Sequence, residues 1–188
     1  YGLRKILQSD IPSEGNWVVL SRGNIYYRWF LPDDSTDLRG TLVLVHGFST
    51  PSFVWQGLLD NFTSSGYKVL VYDHFGRGYS ERPKTQYDKS LYLETLRELI
   101  LSQDIDEKVH IVGYSMGGPI AYYAAEYPGE VKSVSLIAPA GFSKSLPQMK
   151  SWTTMPIVGD WFWRVFSHRL YGVGTVSYTH LRAHETLS

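Results

Sequence analysis

Cysteine is absent from the 188 residues. That excludes disulfides, a thiolate nucleophile and cysteine-ligated zinc together. Net charge is absent too, since 18 Lys and Arg balance 18 Asp and Glu. A neutral chain argues against nucleic acid as the main partner, because phosphate binding needs clustered positive charge. No run approaches the ~20 apolar residues of a membrane span, and no signal peptide is visible. The chain starts at Tyr1 rather than Met. A leader or anchor ahead of it, and with it membrane association, therefore stays an open expectation. A cytoplasmic compartment is the default. What is present is the balance of a folded soluble protein, with 43% apolar and 19% charged residues. The length suits one domain or most of a larger one.

The pattern along the chain alternates. Residues 17–20 and 25–31 are aromatic and β-branched and flank Ser21-Arg22-Gly23-Asn24, which has the chemistry of a hairpin turn. Residues 41–45 (Thr-Leu-Val-Leu-Val) predict a strand buried on both faces of a parallel sheet, and residues 68–72, 109–112 and 131–138 repeat that pattern. Helical spacing lies between them. Residues 52–65 carry Val54, Leu58, Leu59 and Phe62, with Gly66 as a stop. Residues 90–103 place Leu91, Leu93, Leu96, Leu99 and Ile100 on one broad face, and residues 117–127 are rich in Ala. Strand alternating with helix predicts a parallel sheet with crossover helices and an antiparallel hairpin at its edge.

Beyond Gly141 the alternation stops. Residues 142–175 hold an apolar stripe at Ile157, Val158, Trp161, Phe162, Val165 and Phe166, the packed face of a helix in a partial lid. Residues 176–188 have neither period. From Val176 to Thr186 they resemble, residue for residue, the translation of a transposon-type sequencing adapter. They are set aside as a non-native tail, and a metal reading of His180 and His184 goes with them. The expectation is a chain cut off near Thr175, with residues 1–141 as the N-terminal part of the core.

The chemistry gathers in three short segments. Gly113-Tyr114-Ser115-Met116-Gly117 is G-x-S-x-G between a buried strand and an Ala-rich helix. Gly113 and Gly117 leave room around a tight turn. Ser115 then stands on a strained corner at a helix N-terminus, where backbone N–H groups favour developing negative charge. His46-Gly47-Phe48 follows the first buried strand. Asp73-His74-Phe75-Gly76-Arg77-Gly78-Tyr79-Ser80 follows the next, and its G-x-G with an Arg admits a weak phosphate-binding reading. His74 and His110 have no partner in sequence and read as structural.

These segments together resemble the α/β-hydrolase superfamily, over nearly all of residues 17–141. The resemblance implies a three-layer α/β fold, mostly parallel, with an N-terminal antiparallel hairpin and a helical lid. It implies Ser115 as nucleophile and the backbone N–H groups of Phe48 and Met116 as the oxyanion hole. Gly47, Gly113, Gly117, Asp73, Gly76 and Gly78 are motif residues, and His46 is architectural rather than the general base. No cofactor or metal is implied. In this family the triad acid and histidine follow strands beyond the lid, so both are expected to be absent from this chain, leaving the fragment inactive. The implied parent is an esterase- or lipase-like hydrolase of small carboxylic esters, with the aromatic lid suited to lipid-like acyl groups. A C–C bond hydrolase, a cofactor-free haloperoxidase or a non-catalytic binding protein on the same fold are the alternatives.

Overall fold

The computed structural model describes residues 15–141. The lid reading of residues 142–175, His168 within it, the tail 176–188 and residues 1–14 lie outside the described residues. Ten elements follow in order. The strands are β1 (Asn16–Leu20), β2 (Gly23–Phe30), β3 (Gly40–Val45), β4 (Tyr67–Tyr72), β5 (Val109–Tyr114) and β6 (Val131–Ile137). The helices are a 3-10 segment (Ser52–Leu58), α1 (Leu59–Ser64), α2 (Lys89–Leu101) and α3 (Gly117–Ala124). The described strands form one sheet in the order β1-β2-β4-β3-β5-β6. β1 and β2 form an antiparallel hairpin, β2 runs antiparallel to β4, and β4, β3, β5 and β6 are mutually parallel.

The continuous apolar runs divide by the two-residue period of a strand. Val43 and Val45 of β3 join Leu70 and Tyr72 of β4 in a core beneath α2 and α3. Leu42, Leu44, Val69 and Val71 turn the other way and pack with Trp55 and Leu59 under the 3-10 segment and α1. A sheet with apolar side chains on both faces must be covered on both, and this produces the three layers. On one side, Asp88 caps α2 by accepting the Leu91 N–H at 3.0 Å. Glu98 on that helix also accepts from Ser21 N–H and Oγ–H at 2.8 and 2.6 Å, which ties α2 to the hairpin turn.

Four expectations shift in detail. The hairpin turn is only Ser21-Arg22, because Gly23, at φ +137°, already pairs with Leu20. Residues 52–58 form a 3-10 segment, not the first half of an α-helix. The buried residues there are Ser52, Trp55 and then Leu59, so the first step is three residues, and Leu58 faces solvent. α3 ends at Ala124. The N–H groups of Ala125, Glu126 and Tyr127 reach back only three residues, a tightening that precedes Pro128. β6 is a strand but is not buried on both faces: five of its seven residues are exposed. It pairs with β5 alone among the described strands, and Lys132, Ser133 and Ser135 face water.

Candidate active site

β3, β4 and β5 are parallel neighbours, so the loops leaving their C-terminal ends converge. Val45 stands opposite Gly113 in the β3–β5 register, which brings the His46-Gly47-Phe48 loop over the β5–α3 corner. At that corner Ser115 has φ +52°, a left-handed conformation that a residue with a side chain rarely adopts. The turn is too tight for larger neighbours. A Cβ on Gly113 would lie 2.3 Å from the Gly117 carbonyl oxygen, and one on Gly117 would lie 2.1 Å from that of Val45. A Cβ on Gly47 would approach Ser115 Cβ to 3.0 Å and Oγ to 3.5 Å. Gly47 thus lets the β3 loop come down on the serine.

The exit of β6 holds the strained corner in place. Ser115 N–H donates to the Ile137 carbonyl at 3.0 Å, and the Ser115 carbonyl accepts from Gly118 N–H at 3.0 Å and Ala140 N–H at 2.9 Å. Among the described residues, neither the Phe48 nor the Met116 N–H donates to a backbone carbonyl. Met116 is the N-cap of α3, a position where helix geometry gives the early N–H groups no intrahelical partner.

The described histidines are committed elsewhere. His46 is fully buried; its Nε2 accepts the His74 backbone N–H at 2.9 Å, so Nδ1 carries the proton that bonds the Gly47 carbonyl at 2.7 Å. The His74 Nε2 donates to the His46 carbonyl at 3.1 Å, while its Nδ1 is buried without a partner among the described residues. Burial pushes both imidazoles below the ordinary histidine range; the Asp73 charge partly opposes this at His46, and His46 adds to it at His74. His110 lies at the other end of β5, with Nδ1 2.6 Å from Ser133 Oγ.

Asp73 is buried and braces the β4 loop. Its carboxylate accepts from Ser52 N–H at 2.8 Å and Tyr79 N–H at 2.9 Å. A Cβ on Gly78 would stand 1.8 Å from Asp73 Oδ2, so the turn already encloses this internal carboxylate. That argues against the phosphate-binding reading of its G-x-G. Ser80 Oγ donates to the Asp73 carbonyl at 2.5 Å and accepts the Tyr26 N–H at 2.9 Å. The contacts that Arg77 and the Ile137–Ala140 turn make here are not those the sequence suggests: Arg77 enters only the phosphate-binding reading, and the turn enters none. Both act through contacts across long separations, and no local pattern announces such contacts.

The chain is 36% identical over 122 residues to Lipase 3 of Moraxella sp. (strain TA144), covering 61% of this chain and 36% of that protein. It is 34% identical over 137 residues to a monoacylglycerol lipase of Mycolicibacterium smegmatis, covering 70% of this chain and 48% of that one. It spans less than half the length of either relative. An esterase from Exiguobacterium antarcticum superposes with a TM-score of 0.60 at 23% identity, over 71% of this chain and 48% of that one, a likeness of fold. The family profile described as alpha/beta hydrolase fold matches residues 40–170. On the extent of that match, the chain belongs to the α/β-hydrolase fold family.

Proposed function

We propose that the whole protein hydrolyses carboxylic esters, small and lipid-like, through Ser115. The observation that carries this reading is the left-handed Ser115 at a strand–helix corner, with Gly47 folded against it. In the proposed reaction Ser115 Oγ attacks the ester carbonyl while a histidine takes its proton. The carbonyl oxygen becomes an oxyanion, held by the Phe48 and Met116 N–H groups. The tetrahedral species collapses, the histidine returns the proton to the leaving alcohol, and water then releases the acid by the same steps in reverse order of roles. The α3 N-terminus favours the negative charge throughout. The lipase names of the relatives support the ester class and a lipid-like acyl group.

The base and its acid partner come from outside residues 15–141 in this reading, because His46, His74 and His110 are each held away from Ser115. In this reading the base and acid also lie beyond residue 188, and residues 1–188 alone are inactive. A fluorophosphonate probe on the complete protein should label one serine, and Ser115→Ala should abolish both labelling and turnover of esters of graded chain length. Labelling that persists at another serine overturns the assignment. Labelling at Ser115 without any ester turnover points instead to C–C bond hydrolysis or haloperoxidase chemistry on the same nucleophile.

A further inference from the structure

One side chain joins two loops of the site without belonging to either motif's chemistry. Arg77 stands on the turn after β4, and its own backbone is pinned: its N–H donates to the His74 carbonyl at 3.0 Å, and its carbonyl accepts the Ser80 N–H at 3.2 Å. From this fixed base the side chain crosses to the loop after β3. Nε–H donates to the Phe48 carbonyl at 2.6 Å, and Nη1–H donates to the Gly76 carbonyl at 3.1 Å. The guanidinium carbon lies 4.3 Å from the centre of the Phe48 ring. A hydrogen bond and a cation–π contact therefore converge on one residue.

Among the described residues, little else holds Phe48. It is 50% exposed and belongs to neither core cluster that they form. An aromatic ring on a loop, without a packed bed, leaves the φ and ψ of its own residue soft. Fixing both its carbonyl and its ring fixes the peptide planes on either side, including the one that carries the Phe48 N–H. Only arginine can stack its plane and donate from its fork at once; lysine offers a point charge on a flexible stem.

We propose that Arg77 is a positioning residue for ester hydrolysis, holding Phe48 so that its N–H aims at the developing oxyanion. The proposal rests on the oxyanion role given to Phe48 above. A well-placed oxyanion donor is worth roughly 10²–10³-fold in rate, so a donor merely loosened should forfeit part of that.

The test uses the complete protein and a short-chain p-nitrophenyl ester. Arg77→Ala should lower kcat about 10- to 100-fold with KM changed less than about twofold, the signature of an interaction made in the transition state. Arg77→Lys should recover only part of the loss. A trifluoromethyl ketone, which forms a tetrahedral oxyanion on the nucleophile, should weaken by the same factor as kcat/KM, whereas binding of the product carboxylate should not move. Phe48→Ala combined with Arg77→Ala should cost less than the two losses multiplied, because both act through one residue. Should Arg77→Ala fail to fold, Arg77→Gln carries the same expectations. An unchanged kcat, or a fall in kcat with ketone affinity unaltered, overturns the role of Arg77. Ser115→Ala separates the two levels. If Ser115→Ala is dead and Arg77→Ala is normal, only the positioning role fails. If Ser115→Ala still turns over, the nucleophile reading fails and Arg77 falls with it.

Discussion

At the scale of single residues, the corner around Ser115 tolerates no added methyl group. Gly117→Ala would drive its Cβ to 2.1 Å from one backbone oxygen and 2.7 Å from the next, both in the β3 exit. Backbone cannot give way as a flexible side chain can. The variant should lose more than about 2 kcal/mol of stability, in the range of severe overpacking, read as a lower midpoint in urea. The histidine pair makes a different prediction, about pH. An unfolded histidine takes up a proton near pH ~6.5, whereas burial keeps the folded His46 and His74 neutral to lower pH. Just below that value the unfolded chain binds more protons than the native one. Stability therefore rises with pH there and is lost as pH falls through ~6.5 toward the depressed folded values, at about 1.4 kcal/mol per pH unit for each histidine. His74→Phe keeps a ring in the site but removes one titrating group. Its urea midpoint should fall less steeply than the parent's between about pH 6.5 and 5.5. An equal slope in both would refute the contribution.

At the scale of elements, the exit of β6 does more than end a strand. Its turn uses Ala138 at φ +42° and presents the Ala140 N–H to the Ser115 carbonyl. Ala140→Pro deletes that donor and nothing on a side chain. On the proposed role of Ser115 as nucleophile, in the complete protein it should slow fluorophosphonate labelling of Ser115 by about tenfold, since a misdirected nucleophile loses orientation worth far more than one hydrogen bond. Ala140→Ser, which keeps the N–H, should label at the parent rate. This clasp was invisible in the sequence because a backbone hydrogen bond leaves no residue type behind. The strands themselves were legible: Val, Leu and Ile runs of four to eight residues between turn residues can bury two faces in few other ways. The tight strand–helix corner at Ser115 was legible too, because Gly-x-Ser-x-Gly needs its glycines for room. The 3-10 segment was not. Val54 and Leu58 fit a helical stripe by hydrophobicity, yet Trp55 is the side chain that the second core takes in. β6 misled for the same reason, since its apolar count resembles β3 while its place at the edge of the described sheet decides its burial.

At the scale of the whole molecule, the parallel strands give the described sheet two chemically different ends. The C-terminal ends of β3, β4 and β5 hold Gly47, the Asp73 turn and Ser115. The N-terminal ends hold the Thr41–Glu107 and His110–Ser133 hydrogen bonds, each between side chains at 2.9 and 2.6 Å. His110 and Ser115 are five residues apart on one extended path, roughly 16 Å at ~3.3 Å per residue. A general base must reach its proton within about 3 Å or through one water, so His110 cannot serve Ser115. His110→Gln in the complete protein should keep ester turnover within about twofold of the parent, because it touches only the far end of the fold. The same geometry bears on the described part of the 188-residue chain. Two of the three described histidines are spent on backbone partners and the third lies at the wrong end, so none of these three is placed to take a proton from Ser115. On the proposed reaction, ester hydrolysis by residues 1–188 should fall at least about 10³-fold below the complete protein, with any residual activity owed to the proposed oxyanion hole and binding alone. Turnover within about tenfold of the complete protein, a barrier difference of only ~1.4 kcal/mol, would place a working base inside the chain and make His168 the first histidine to substitute.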